Sequence, residues 1–154
     1  MLEMILKMSA LTAIHVVLTI LLRIKWKGRE MSGLSKVLIG VLFGCTAVLS
    51  THFGVQYESM TVNVRDLSPL SAGLFFDPVS GIIAGLIGGI ERYIAGTYWN
   101  VSSYTCIACS VSTCLAGFLS AVLNRFLFKR KTPSAIYGLF IGAVMEVFHM
   151  YVVF

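Results

Sequence analysis

Apolar residues dominate the run from Met4 to Leu22, interrupted only by Lys7, Ser9, Thr12, His15 and Thr19. About 19 residues at 1.5 Å per residue suffice to cross a hydrocarbon core of about 30 Å. A second run, Leu34 to Phe53, carries Gly40-x-x-x-Gly44 as a close-packing face. The third is unlike its neighbours. Its uncharged part, Leu67 to Phe76, is about ten residues, roughly 15 Å as helix, and contains Pro69. Either this segment is re-entrant or broken, or Arg65 and Asp66 lie in the outer part of the membrane; both require protein or water around the polar groups. Asp77-Pro78 marks a turn, Val79 to Ala95 a fourth segment, Tyr104 to Phe128 a fifth, and Ala135 to Phe154 a sixth that opens on Thr132-Pro133-Ser134.

The pattern predicts an all-α membrane protein, a polytopic bundle of six transmembrane segments with the third short or broken. Two basic loops set its orientation: Arg23, Lys25, Lys27 and Arg29 follow the first segment, and Lys129-Arg130-Lys131 follows the fifth. Basic loops stay cytoplasmic. Both ends are therefore expected outside, with Gly54 to Val62, including Tyr57 and Glu58, as an outer loop and Tyr98 and Trp99 at the outer interface. The expected organisation is a leading helix with its basic loop over 1–33 and a five-helix unit over 34–154. No A-x-A cleavage site accompanies the first helix, which reads as a retained span.

Composition agrees with this reading and removes others. Among 154 residues 57% are hydrophobic and 12% charged, too little polar surface to cover a water-soluble globule. The net charge of +5 sits mainly in the two loops, so it speaks for topology and against nucleic acid. Cys45, Cys106, Cys109 and Cys114 all lie in apolar runs. Cys106-x-x-Cys109 is half of a zinc spacing without a second pair, and is read as small packing residues; no metal and no cofactor is expected. No phosphate loop or nucleophile arrangement is present, and no catalytic activity is expected. The chain stops at Phe154 without a soluble region, which leads us to expect either a truncated receptor module or one that stands alone.

Charge inside membrane-grade sequence locates the candidate site. A charged group at bilayer depth costs at least about 2.5 kcal/mol on insertion scales, so Arg65, Asp66, Glu91 and Arg92 need partners, water or a ligand. On the fourth segment Gly81, Gly85, Gly88, Gly89, Arg92 and Gly96 fall within an arc of about 100°. On the fifth, Cys106, Ser110, Thr113, Cys114, Gly117, Ala121 and Asn124 share a comparable arc, and on the sixth so do Gly138, Gly142, Met145, Glu146 and His149. Gly81, Gly85, Gly89, Gly138 and Gly142 are assigned to helix packing. Asn63, Arg65, Asp66, Glu91, Arg92, Glu146 and His149 are assigned to a ligand-binding or signalling cluster in the outer half of the membrane, with Thr51, His52, Cys106 and Ser110 lining the same space. The competing reading makes them structural ion pairs. His15 is expected to be an ordinary helix residue, and Asp77, Asn124 and Arg125 interfacial or capping groups.

Asn63-x-Arg65, Ala72-Gly73-Leu74, the turn at Pro78, Gly81-x-x-Ala84-Gly85-x-x-x-Gly89 and Arg92-Tyr93 resemble the LytS-type five-transmembrane receptor domain. So do Ala116-Gly117, the basic loop beyond it, and Gly138 through Gly142 to Met145-Glu146. The resemblance implies a sensor module of the bacterial inner (plasma) membrane, joined in that family to cytoplasmic outputs: a histidine kinase of a two-component phosphorelay controlling murein and cell wall organization, or a cyclase or phosphatase. It also implies functional roles for Asn63, Arg65, Arg92 and Glu146. The expected partners are the lipid bilayer, a small ligand or ion, a cytoplasmic output domain or kinase, and a second copy in a homodimer. The rival classes are a substrate-binding membrane subunit of an uptake transporter and a purely structural membrane partner.

Overall fold

The computed structural model describes residues 2–26, 30–57 and 60–153. Lys27 and Arg29 of the first basic loop, Glu58 of the outer loop and Phe154 lie outside the described residues. Six helices and one short hairpin follow one another: α1 (Leu2–Lys25), α2 (Gly33–His52), β1 (Val55–Tyr57), β2 (Met60–Val62), α3 (Leu67–Phe75), α4 (Pro78–Tyr98), α5 (Cys106–Val122) and α6 (Ala135–Val153). A 3-10 turn, Ser103–Thr105, leads into α5, and a π-helical turn, Leu123–Leu127, extends it. The hairpin is antiparallel, pairing Val55 with Val62 and Tyr57 with Met60.

The all-helical membrane architecture is as expected, but the count of six full crossings needs correction. Four described helices are long and apolar enough to span a bilayer: Ile5–Lys25, Gly33–His52, Pro78–Tyr98 and Ser103–Leu127. The apolar stretch of α6, Ala135–Tyr151, is shorter. Helix α3 has only nine residues, about 13 Å of rise. It reaches from the bundle interior to one end because the chain before it enters non-helically: Asn63 to Asp66 run inward from the hairpin, and Asp66 is already level with Thr113 near the middle of α5. Non-helical backbone at that depth survives only where protein surrounds it. Ser68 to Leu74 are all buried, so α3 is enclosed by the other helices.

Helix α4 is the element against which α2, α3 and α5 pack. Its glycines explain the closeness. A Cβ on Gly85 would lie 3.0 Å from the Gly117 Cα, one on Gly81 2.6 Å from the Gly73 Cα, and one on Gly88 2.8 Å from the Ala47 Cβ. Side chains are missing where backbones must meet, and dispersion across those contacts replaces the hydrophobic drive that lipid does not supply. Gly89 abuts Cys114, and Gly138 on α6 abuts Phe75. Gly142 departs from the expectation: nothing lies within 4 Å of its missing Cβ, so among the described residues the packing stripe of α6 does not include it.

Two apolar clusters flank α3. Ile39, Phe43, Ala72 and Ala84 form one, with Leu18, Leu22 and Trp26 of the α1 end against it; Leu70, Leu74, Ala116 and Met145 form the other. Polar caps close the end carrying the basic loops. Asp77 accepts from Val79 N at 3.0 Å, ahead of Pro78 at the start of α4, and pairs with Lys36 Nζ at 3.0 Å. Asn124 Nδ2 donates to Leu74 O at 3.1 Å, satisfying a carbonyl at the end of α3. Arg23 donates to Thr132 Oγ1 at 2.9 Å, so the two basic loops share this end of the bundle. The hairpin, Trp99 and the α4–α5 loop occupy the other.

Candidate functional site

Asn63 starts the site. Its Oδ1 accepts from Arg65 N at 3.1 Å, a side-chain turn that fixes the backbone two residues on. Arg65 then points into the bundle and is wholly buried. Its Nε donates to Thr113 Oγ1 at 2.7 Å, and its terminal nitrogens reach Thr51 Oγ1 at 3.4 Å and Cys109 O at 3.5 Å. Gly88 leaves the room this requires, since the Arg65 Cδ is 4.0 Å from where the glycine's Cβ would be.

Asp66 supplies the buried carboxylate. Thr113 Oγ1 donates to Oδ1 at 2.6 Å, and Ser112 Oγ donates to Oδ2 at 3.1 Å. His149 Nδ1 is 2.7 Å from Oδ2, and Arg65 Nε is 3.8 Å from Oδ1. On its other side, His149 places Nε2 3.4 Å from Cys109 Sγ. Because Thr113 accepts from Arg65 and donates to Asp66, α5 stands between the two charges as a hydrogen-bonded relay. This is the kind of full pairing that a buried ion needs to offset its desolvation.

Arg92 lies nearer the hairpin end and is 1% exposed. Its NH1 donates to Val101 O at 2.6 Å, and its NH2 to Ser102 O at 3.0 Å and Thr105 Oγ1 at 3.3 Å. The loop is bent to aim these carbonyls: Asn100 and Ser102 take φ of 55° and 43°, a left-handed conformation that costs a non-glycine residue about 1–3 kcal/mol. Every described acceptor of Arg92 is neutral, and its buried Nε has none. Gly96 opens the space in which Arg92 NH1 and Cys106 Sγ converge, at 3.3 and 3.1 Å from the absent Cβ.

The structure thus brings together Asn63, Arg65, Asp66 and His149, with Arg92 one level above. Glu91 instead pairs with His52 Nε2 at 2.8 Å, beside the Trp99 ring. Glu146 sits at the margin: its side chain is exposed on α6 and makes no direct hydrogen bond or ion pair among the described residues, while its charge acts on His149, Asp66 and Arg65. Of the lining expected, Thr51 reaches Arg65, and Cys106 lies beside Arg92. Thr113, Ser112, Cys109 and the Val101 and Ser102 carbonyls are the groups that sequence reasoning underweighted. His15 is buried: its Nδ1–H donates to Leu11 O at 2.8 Å, and its Nε2 hydrogen-bonds Ser68 Oγ, which also lies 3.2 Å from Thr46 Oγ1. A separate cavity of 930 Å³ opens at the basic end, among Arg23, Trp26, Met31, Lys36, Phe76 and Arg130.

A bundle that wraps lipid-grade helices around buried arginines and a hydrogen-bonded carboxylate defines an integral membrane protein with a polar interior site. The chain belongs to the family described as 5TMR of 5TMR-LYT, whose sequence profile matches residues 19–154. It is similar to the sensor histidine kinase YpdA of Escherichia coli, 37% identical over 86 residues, 56% of this chain and 14% of that protein. It is also similar to the sensor histidine kinase BtsS of Escherichia coli, 29% identical over 116 residues, 75% of this chain and 20% of that one. The sensor protein LytS of Bacillus cereus is 34% identical over 94 residues, 57% of this chain and 15% of that protein. The chain therefore spans a fifth or less of the length of these relatives. No solved structure matches it.

Proposed function

We propose that this chain is the membrane sensor domain of a bacterial signal-transduction protein, and that it detects a small anion at the arginine cluster. The observation that carries the reading is a local charge excess. Arg65 and Arg92 are both buried, Asp66 serves the first, and Arg92 donates to two backbone carbonyls and a hydroxyl, with the Cys106 and Cys109 thiols beside it and no carboxylate among its described acceptors. A guanidinium so placed is stabilised by an arriving carboxylate or phosphate, which it can grip through two parallel N–H donors.

The two basic loops share one end, and basic loops stay in the cytoplasm. This supports an orientation with the arginine cluster and the N-terminus toward the outside, and membership of the sensor-kinase family supports the inner membrane. Ligand binding then acts on a cytoplasmic output only through the helices. A ligand biases two packings by its differential affinity, about 1.4 kcal/mol for each tenfold. The named sensor kinases among the relatives support an output of that class, and their greater length leaves room for it.

The test is calorimetric titration of the chain in lipid nanodiscs with monocarboxylates, dicarboxylates, inorganic phosphate and chloride. At least one anion is expected to bind, and Arg92→Ala to abolish that binding while Arg23→Ala, at the opposite end, retains it. Equal binding by wild type and Arg92→Ala would overturn the assignment.

A further inference from the structure

Two of the four cysteines stand apart from the polar site. Cys45 is exposed on α2, and Cys114 fills the notch at Gly89. Cys109 is different. It ends a chain of three groups from three elements: Asp66 Oδ2 to His149 Nδ1 at 2.7 Å, and His149 Nε2 to Cys109 Sγ at 3.4 Å. Nucleophile, base and orienting carboxylate stand in the order that activates a thiol. With Nδ1–H donating to Asp66, the neutral imidazole presents a bare Nε2 to the thiol. Arg65, hydrogen-bonded to the Cys109 carbonyl at 3.5 Å, puts a fixed positive charge beside the same residue.

Cys106 supplies a second sulfur. It opens α5 one turn before Cys109, where the 3-10 turn Ser103–Thr105 runs into the helix and the Cys106 N–H is bonded to Ser103 O. Residues three apart in a helix have Cα atoms about 5 Å apart, inside the range of about 4.4–6.8 Å that a disulfide spans. Both cysteines are buried, yet each retains some exposure, 7% for Cys106 and 6% for Cys109.

We propose that Cys109 and Cys106 form a thiol–disulfide switch, with Cys109 the attacking thiol and the Asp66–His149 pair its base. Cys109 gives its proton to His149 Nε2, and the thiolate attacks one sulfur of a small disulfide, forming a mixed disulfide and expelling one thiolate, which takes that proton from His149. Cys106, losing its own proton, then attacks the Cys109 sulfur, forms the Cys106–Cys109 bond and expels the second thiolate, which takes up that proton. One external disulfide is reduced to two thiols as two protein thiols become one disulfide. The closed form deletes the His149–Cys109 hydrogen bond, which with His149–Asp66 ties α6 to the bundle among the described residues.

The experiment uses the chain in nanodiscs with bis(2-hydroxyethyl) disulfide and no added anion, so that it is scored separately from ligand binding. Denaturing alkylation and peptide mapping follow each cysteine with time. Wild type is expected to lose Cys106 and Cys109 together, at least tenfold faster than Cys114. Cys106→Ser should trap the mixed disulfide on Cys109, Cys109→Ser should leave Cys106 unreacted, and His149→Gln should slow the exchange tenfold or more. The proposal is overturned if Cys109 in the wild type reacts no faster than Cys114, a comparison that needs no variant to fold. It is equally overturned if the first attack maps to Cys106, or if His149→Gln exchanges at the wild-type rate.

Discussion

Replacing Asp66 by alanine tests the energetic centre of the site. The carboxylate accepts from Thr113 and Ser112, sits 2.7 Å from His149, and is the nearest anion to the wholly buried Arg65. Its removal leaves a cation in the bundle with only neutral acceptors, and breaking a buried pair in this way costs about 3–5 kcal/mol. The hydroxyls of Thr113 and Ser112 can turn to other acceptors, as Thr113 already lies 2.9 Å from Cys109 O, so their share is small. Removing both charges should cost less than removing one, since an apolar pair of similar volume restores packing without an orphaned ion. Reversible unfolding in mixed micelles measures these differences. The expected order is Asp66→Ala least stable, Asp66→Leu with Arg65→Met intermediate, wild type most stable, and the cycle closed by Asp66→Leu and Arg65→Met alone should give a coupling energy of about 2 kcal/mol or more. If Asp66→Ala cost under about 1 kcal/mol, or the two changes simply added, the pairing would not be what holds α3 to α5, and the reasoning would fail.

Other perturbations follow from single contacts. Gly85→Leu has no space against Gly117 and Thr113 O, so it should separate α4 from α5 and lower stability by several kcal/mol in the same unfolding assay. On α6, Gly138→Ala meets the Phe75 ring at 2.6 Å whereas Gly142→Ala meets nothing; the first should destabilise measurably and the second stay within about 0.5 kcal/mol. His15→Ala strips Ser68 of its imidazole partner inside the bundle and should cost about 1–3 kcal/mol, with anion titrations unchanged.

The helices were legible because lipid demands long apolar runs, and the arginines because charge is conspicuous within such runs. Depth was not legible. Nothing in Asn63 to Asp66 says how far an irregular segment penetrates before its helix begins; that follows from the fit of α3 between α2, α4 and α5. Rotation was the second gap. Glu146 and His149 lie about 60° apart around α6, close enough to share a predicted face. Yet α6 touches the bundle along the line of Met145, so His149 reaches Asp66 while the Glu146 side chain stays exposed at the margin. Cys109 was underweighted for the same reason: its partner lies 40 residues away, on a helix whose facing side the sequence does not specify.

The meeting of Gly85 with Gly117 limits how α4 can answer any event at Arg92. Where backbone lies on backbone there are no rotamers to flip, and a local disturbance has no soft element in which to dissipate. α4 must either hold still or travel as a stiff rod. In the latter case the Asp77–Lys36 latch at its far end feels the displacement that began beside Val101.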